Sequence, residues 1–353
     1  MSQIINKREY AAQRMNRSFG DRNRSRDTMY RGHAGARAAL LLALSALAPS
    51  LCLADEAICK DTSGKYETSY TCEGFEDPGD FERRLDRSVV PRSSRGLSFI
   101  LRDSRPRDFP VGWLEGINAT LLEFQNVTLT SPESYDAVLS GLAGDAPPSS
   151  VERLVFSYDS TLPASWELLR KLPRLKTLGL VKMSGLRLGR DFGLLPRTVR
   201  GVSVLHSSIE TVEDGWLAEL PDLEYVVIRD SKLPHFSRSM LPIPALKLRS
   251  IDLDYNDLSA IPAGFGDGFP ALAFLDLEGN KVTTIEEREL AGVLNDTSTV
   301  VLLGNNWLHC DCKLAHLGRH SDRRLRARCH TPEKLRGRSV QSLTDVELNC
   351  PRR

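Results

Sequence analysis

Apolar residues return along this chain at a constant interval. Val151, Leu175, Val199 and Leu223 stand 24 residues apart, and each opens the same run of apolar and polar positions. The clearest copy is Leu248-Arg-Ser-Ile251-Asp-Leu253-Asp-Tyr-Asn256-Asp-Leu258, continuing to Ile261, Pro262 and Phe265. The next holds Leu272, Leu275, Leu277, Asn280, Val282 and Ile285. Earlier copies carry Val226, Ile228, Leu233 and Phe236, then Val202, Val204, Ile209 and Val212. Before these come Leu178, Leu180 and Leu188, and Leu154 with Phe156. Degenerate copies lie around Phe99 and Leu101 and around Leu122 and Phe124, and a last one holds Val301, Leu303 and Asn306. Such a period predicts stacked units that share one continuous core. Inside each unit the apolar and polar positions alternate, which predicts a short strand. Ile251 and Leu253 then face inward while Asp252 and Asp254 face out.

A second phase agrees with the first. Counting 17 residues on from the opening position gives Trp113, Phe192, Trp216 and Phe265, so a bulky ring recurs on the return side of four units. Strands stack about 4.8 Å apart. The return segment is wider, so the stack must curve with its sheet on the concave side. The pattern L-x-x-L-x-L-x-x-N-x-L, its period and the ring together resemble the leucine-rich repeat family, in its 24-residue extracellular class, over roughly residues 96–306. The resemblance implies an α/β fold: a leucine-rich repeat solenoid, a curved horseshoe with a parallel concave β-sheet and disulfide-bonded caps. It also implies that the ninth-position Asn bonds backbone groups between turns. Asn256, Asn280 and Asn306 keep that residue; Ser104, Ser207 and Ser231 substitute in part; Val127 and Met183 cannot. The N-terminal half is therefore expected to be less regular. The Ser131–Ser150 stretch, with Pro147 and Pro148, reads as a longer loop within one unit.

A solenoid needs caps, and the cysteines stand where caps belong. Cys59 and Cys72 precede the repeats; Cys310, Cys312, Cys329 and Cys350 follow them. Spacing alone leaves the pairing of the last four open. The run from Asn306 through Cys310-Asp-Cys312 to Leu314 resembles the flanking cap of extracellular leucine-rich repeat proteins. That resemblance implies Cys310–Cys329 and Cys312–Cys350, with Cys59–Cys72 at the other end. The seventh cysteine, Cys52, falls in the apolar run Ala38–Leu53, which has Arg31 and Arg37 before it and small residues suited to cleavage after Ala54. This reads as a signal peptide, and its removal leaves six cysteines for an oxidising compartment. Met29 is an alternative start that would shorten the basic leader. The expected organisation is a leader and signal peptide over 1–54, an N-terminal cysteine cap over 55–95, repeats over 96–306 and a C-terminal cysteine-rich cap over 307–353. The mature chain is then secreted, without a membrane span. Uncleaved, the apolar run would instead anchor a membrane co-receptor.

Composition narrows the chemistry. The chain has 47 Lys and Arg against 46 Asp and Glu, a net charge of +1, which argues against wholesale nucleic-acid binding. Asn118, Asn126 and Asn295 open acceptor sequons for N-glycans. Asn126 lies near the edge of the sheet, where a sugar would obstruct the N-terminal part of the concave face. No phosphate loop, H-E-x-x-H or nucleophile elbow occurs, so no catalytic residue and no cofactor is expected. Asp252-Leu-Asp254-Tyr-Asn256 mimics a calcium loop, but Asp257 stands where such a loop wants Gly, and Ala263 where it wants Glu. The Cys310-Asp-Cys312 spacing is not the usual zinc pair, so no metal is expected.

The register nominates a concave binding patch: Tyr225, Arg229, Asp252, Asp254, Tyr255, Phe274, Asp276 and Glu278. Asp252 falls beside Asp276 and Asp254 beside Glu278, four carboxylates bordered by rings. Rings amid charge are the composition of a binding hot spot. Like charges on neighbouring strands cost stability, which a basic ligand would relieve. In the last cap Arg323, Arg324, Arg326 and Arg328 cluster, a candidate for sulfated glycan. The expected function is binding of another extracellular macromolecule, most plainly a protein, through the concave face. The resemblance implies roles such as matrix attachment, ligand capture or innate recognition. The opening Cys72-Glu-Gly-Phe-Glu-Asp-Pro-Gly-Asp-Phe81 also resembles secreted arthropod repeat chains that serve as non-catalytic subunits of enzymes, which supplies the alternative reading.

Overall fold

The structure, a computed structural model, describes residues 57–65, 68–85, 96–110, 112–114, 117–142, 149–265, 269–295 and 298–351. The chain divides into two units, Met1–Cys52 and Leu53–Arg353, and the described residues all belong to the second. The basic leader, Met29, the apolar run and Cys52 lie outside them.

The repeats build one twelve-stranded sheet. Its strands are β1 (Ile58–Asp61), β2 (Thr68–Glu73), β3 (Leu97–Ser104), β4 (Ala119–Val127), β5 (Arg153–Ser157), β6 (Thr177–Val181), β8 (Gly201–Leu205), β10 (Tyr225–Arg229), β11 (Ser250–Asp252), β12 (Phe274–Asp276), β13 (Val300–Leu303) and β14 (Leu325–Ala327), in that spatial order. The β1–β2 pair is antiparallel and every later pair is parallel. β7 (Leu186–Leu188) and β9 (Ile209–Val212) form a separate parallel pair. The sheet is in phase: Val155, Gly179, Ser203, Val227, Asp252, Asp276, Leu302 and Arg326 form one row across eight strands. Their chain neighbours Leu154, Leu178, Val202, Val226, Ile251, Leu275, Val301 and Leu325 are buried in the core. The expected alternation is thus observed.

Behind the sheet the rings stack from unit to unit. Phe81 meets Trp113 at 4.8 Å between ring centres, Phe156 meets Trp166 at 6.2 Å, Trp166 meets Phe192 at 4.8 Å, and Phe192 meets Trp216 at 5.3 Å. The row breaks at Met240 and resumes with Phe236 on Phe265 at 5.9 Å. The Asn ladder is made of hydrogen bonds. Asn256 Nδ2 donates to Ile228 O at 2.7 Å, while its Oδ1 accepts from Ser231 N and Leu233 N at 3.1 Å. Ser207 and Ser231 each reproduce part of this, and Ser160, one residue out of register, does the same by accepting from Val127 N at 2.9 Å. Two left-handed residues, Tyr158 and Asp159, absorb that extra position.

The expected irregularity is found as a register shift between Leu97 and Ser98. The expectation of a plain loop over Ser131–Ser150 is corrected, because Ser134–Leu142 forms a helix, α2. Buried Tyr135 and Val138 recur on one face there, and the Tyr135 ring packs on Phe124 at 5.2 Å. The N-terminal end is closed by helix α1 (Pro78–Arg84). Asp77 and Asp80 form a capping box with Pro78 just inside the start, and Phe81 is driven onto the core. The cap cysteines pair as Cys59–Cys72, Cys310–Cys329 and Cys312–Cys350. Among the described residues no helix is long and apolar enough to cross a membrane.

Candidate functional site

The turn that follows many of the strands holds a residue with positive φ, among them Lys182, His206, Asp230, Tyr255 and Gly279. This left-handed step turns the chain off the sheet and lifts the side chain onto its rim. Tyr255 stands 55% exposed there, its ring lying over the next unit. At Gly279 an added Cβ would come within 2.6 Å of that ring and φ is +66°, so glycine is favoured on both counts. Tyr225 leans the opposite way, across Gly201, and its hydroxyl shares a 2.6 Å hydrogen bond with Thr177.

Between these two rings lies a closed polar cluster. Asp252, Asp254 and Asp276 each offer an oxygen within 4.8 Å of the others. They are only 8%, 3% and 6% exposed. The expectation that they stand open to water is corrected. They do point away from the apolar core, but their mutual packing and Arg229 shield them. Arg229 Nε donates to Asp254 Oδ1 at 2.5 Å, Nη2 donates to Asp254 Oδ2, and Nε lies 3.6 Å from Asp252. Asp252 Oδ1 accepts from Asp254 N at 3.3 Å and Asp276 Oδ1 from Glu278 N at 2.9 Å.

Three carboxyls and one guanidinium leave a surplus of negative charge in a nearly dry place. Burial first, then the Asp254 charge, pushes Asp252 up to about 7 against the pull of Arg229. Burial, then the Asp252 charge, pushes Asp276 up to about 8. The hydrogen bonds that Arg229 donates to Asp254 hold its guanidinium above the ordinary value. Near neutral pH the cluster therefore retains protons, with Arg229 and Asp254 as its fixed ion pair. Glu278, grouped with the others by register, leans over Gly304 and stays outside the closed set, although its charge adds to the rise at Asp276. Phe274 is half-buried beside Ser250 in the neighbouring row.

The remaining nominated residues lie elsewhere. Asn118, Asn126 and Asn295 are exposed, and Asn126 Nδ2 donates to Asp103 at 2.7 Å. Arg323, Arg326 and Arg328 are exposed and Arg324 half-buried, around β14 at the far edge of the sheet. Sequence reasoning named Arg229 without seeing its place in the cluster. The signal was its position two residues after Val227 and one unit before Asp254, which sets guanidinium beside carboxylate on adjacent strands.

The in-phase parallel sheet, the Asn ladder and the two disulfide-bonded ends are those of a leucine-rich repeat solenoid. No family model matches the chain. It is similar to the leucine-rich repeat and fibronectin type-III domain-containing protein 4 of Rattus norvegicus and Mus musculus, 27% identical over 142 residues, which is 39% of this chain. It is 33% identical to fibromodulin of Oryctolagus cuniculus over 101 residues, 28% of this chain and 65% of that protein. The chain spans about a fifth of the first relatives, 22% of their length. Among solved structures, human 5T4 (trophoblast glycoprotein) has the same fold at a TM-score of 0.50 and 19% identity, over 79% of this chain and 95% of that one. None of these comparisons brings in a catalytic family. Three disulfides in one chain are the chemistry of an oxidising, extracellular-type environment.

Proposed function

We propose that this chain is a secreted, glycosylated binding protein that engages another extracellular protein through its concave sheet, with an anionic ligand as a second partner at its C-terminal cap. The protein partner meets Tyr255 and Phe274 on the rim and reaches the Arg229, Asp252, Asp254 and Asp276 cluster with a cationic side chain. Tyr225 and Glu278 border that contact. One observation carries the reading: three carboxyls crowd the side of the sheet that faces away from the core. The repeat core asks nothing of those positions, since Val155, Gly179, Ser203 and Val227 fill the same row elsewhere. An incoming lysine or arginine would displace the retained protons and offset the repulsion. Several adjacent strands can offer the roughly 800 Å² per partner of a standard interface.

Affinity capture from extracellular fluid tests this, comparing wild type with the Tyr255→Ala, Phe274→Ala double variant. Loss of a specific protein from the variant is expected. The same set of captured proteins on both would refute concave-face binding. A different observation favours a role as a non-catalytic subunit of a larger complex. Ile243 and Leu246 stand 74% and 60% exposed on the return side, an apolar pair beyond the needs of folding. On that reading an enzyme co-purifies with the chain, and the Ile243→Ser, Leu246→Ser variant loses it.

A further inference from the structure

Several positive charges along the solenoid pair with a carboxylate of the neighbouring unit. Lys176 pairs with Glu152, Arg187 with Glu210, Lys247 with Asp222 and Lys281 with Asp257, each one unit away, at 2.5–3.0 Å. The terminal strand carries an arginine with no such carboxylate beside it. In β14, Leu325 and Ala327 enter the core, so Arg326 joins the outward row directly beside Leu302 of β13. Arg328 follows the strand directly and is exposed, and Arg323 and Arg324 precede it. Arg328 donates to the Gly337 carbonyl at 2.8 Å, which fixes its guanidinium without neutralising it. Arg326 and Arg328 make no ion pair among the described residues, and Arg323 is exposed close by. Arg324 is braced on the Leu294 and Thr299 carbonyls at 2.8 and 3.5 Å. Burial, then Arg324 and Arg319, hold His320 below its ordinary value, the response of a group inside a positive field.

We propose that the β14 edge of the concave sheet is the binding site of a sulfated glycan chain, with Arg326 and Arg328 as its principal contacts and Arg323 and Arg324 beside them. The proposal rests on the extracellular reading above, because that compartment decides which polyanion the strip can meet. Arg326 and Arg328 lie two residues, about 7 Å of extended chain, apart, a spacing suited to successive anionic groups on a polymer. The guanidinium fork pairs with two oxygens of one anionic group. Two strands away, roughly 10 Å, lie Asp276 and Glu278, with Leu302 of β13 between. That intervening strand, Val300–Leu303, offers a polyanion no cation, so the glycan runs along β14 and leaves the carboxyl cluster open.

Heparin is the probe. The full secreted chain should stay on immobilised heparin at physiological salt. Arg326→Glu with Arg328→Glu should lose at least tenfold in affinity. Arg326→Lys with Arg328→Lys should lose only a few-fold, because charge survives without the fork. Arg187→Glu, a charge change of the same kind elsewhere, should bind heparin as wild type does. An unchanged thermal midpoint in the double Glu variant shows that folding is intact; if that variant is unfolded, the Lys pair and a double Gln variant decide the matter. Unchanged heparin affinity in the Glu variant, or an equal loss in Arg187→Glu, overturns the proposal. So does equal binding of desulfated heparin, polyglutamate or phosphatidylserine vesicles, each of which would mean charge without glycan selectivity. Failure of the protein-partner reading looks different: heparin retention persists while the Tyr255, Phe274 variant captures an unchanged set of proteins.

Discussion

Replacing Asp276 with Asn probes the electrostatics of the concave cluster at its most displaced group. The amide keeps an oxygen for the Glu278 N–H, now 2.9 Å from Asp276 Oδ1. It removes a carboxyl that burial pushes from 3.8 up to about 8. Below the ordinary carboxyl range, folded and unfolded chains both hold this proton, and the position contributes no penalty. As pH rises from about 4 to about 8, the unfolded chain ionises while the folded chain keeps its proton, so folding loses stability across that window. A salt-bridged carboxylate behaves in the reverse way. At about 1.4 kcal/mol per pH unit, the full displacement sets a ceiling of roughly 5–6 kcal/mol. Asp252 shares the burden, because one proton between the two groups quiets both. The expected gain for Asp276→Asn at pH 8.5 is therefore about 2 kcal/mol, shrinking to nothing near pH 4. That is several degrees in the unfolding midpoint. Thermal unfolding of wild type and variant, followed by circular dichroism at pH 4, 7 and 8.5, reads it directly. Equal midpoints at pH 8.5, or a gain of the same size at every pH, would refute the reasoning.

Three further outcomes follow from the same contacts. Arg229→Met leaves Asp254 buried without its cation and should destabilise the chain by about 3–5 kcal/mol near pH 8; urea midpoints should show the loss shrinking in acid and largely restored by adding Asp254→Asn. Asn256→Ala strips acceptors from Ser231 N and Leu233 N and a donor from the Ile228 carbonyl, and about 2–4 kcal/mol should be lost, again by urea unfolding. A partner that docks a cation on Asp252 and Asp276 must expel protons, so its affinity should rise between pH 6 and 9; titration calorimetry in buffers of different ionisation enthalpy should register the released protons, and an affinity that falls with pH would remove the cation from the interface.

How much of this was readable in advance depends on how local each cause is. The strands, the inward Ile251 and Leu253, and the pairing of Asp252 with Asp276 follow from a repeat of fixed length, because equal spacing forces equal phase. The return-side rings followed for the same reason. Ser160 escaped notice because one inserted residue moved it out of phase, and only the two left-handed residues before it bring its hydroxyl back to Val127. The helix at Ser134–Leu142 was hidden by the prolines that follow it. Exposure was misjudged for a different reason. Alternation says which side of a sheet a residue takes, but not whether its neighbours close over it. Arg229 reaches across one strand to Asp254, and that reach turns three surface carboxyls into a shielded cluster.

The placement of charge on the last four strands argues for two separate contacts. Asp252 and Asp276 on β11 and β12, Leu302 on β13 and Arg326 on β14 stand in one row. Were this row merely a soluble surface, opposite charges so near would be expected to pair, as Lys281 does with Asp257 at 2.6 Å on the rim. They do not, because β13 presents Val300 and Leu302 between them and offers no polar bridge. The acidic side instead neutralises itself with protons and Arg229, while the basic side leans on carbonyls. The acidic side can exchange its retained protons for an incoming cation, and the exposed Arg326 and Arg328 can meet an outside anion. A cationic side chain and an anionic polymer can then occupy neighbouring strips of one sheet without competing for any residue. Each bound charge would also favour the arrival of the other.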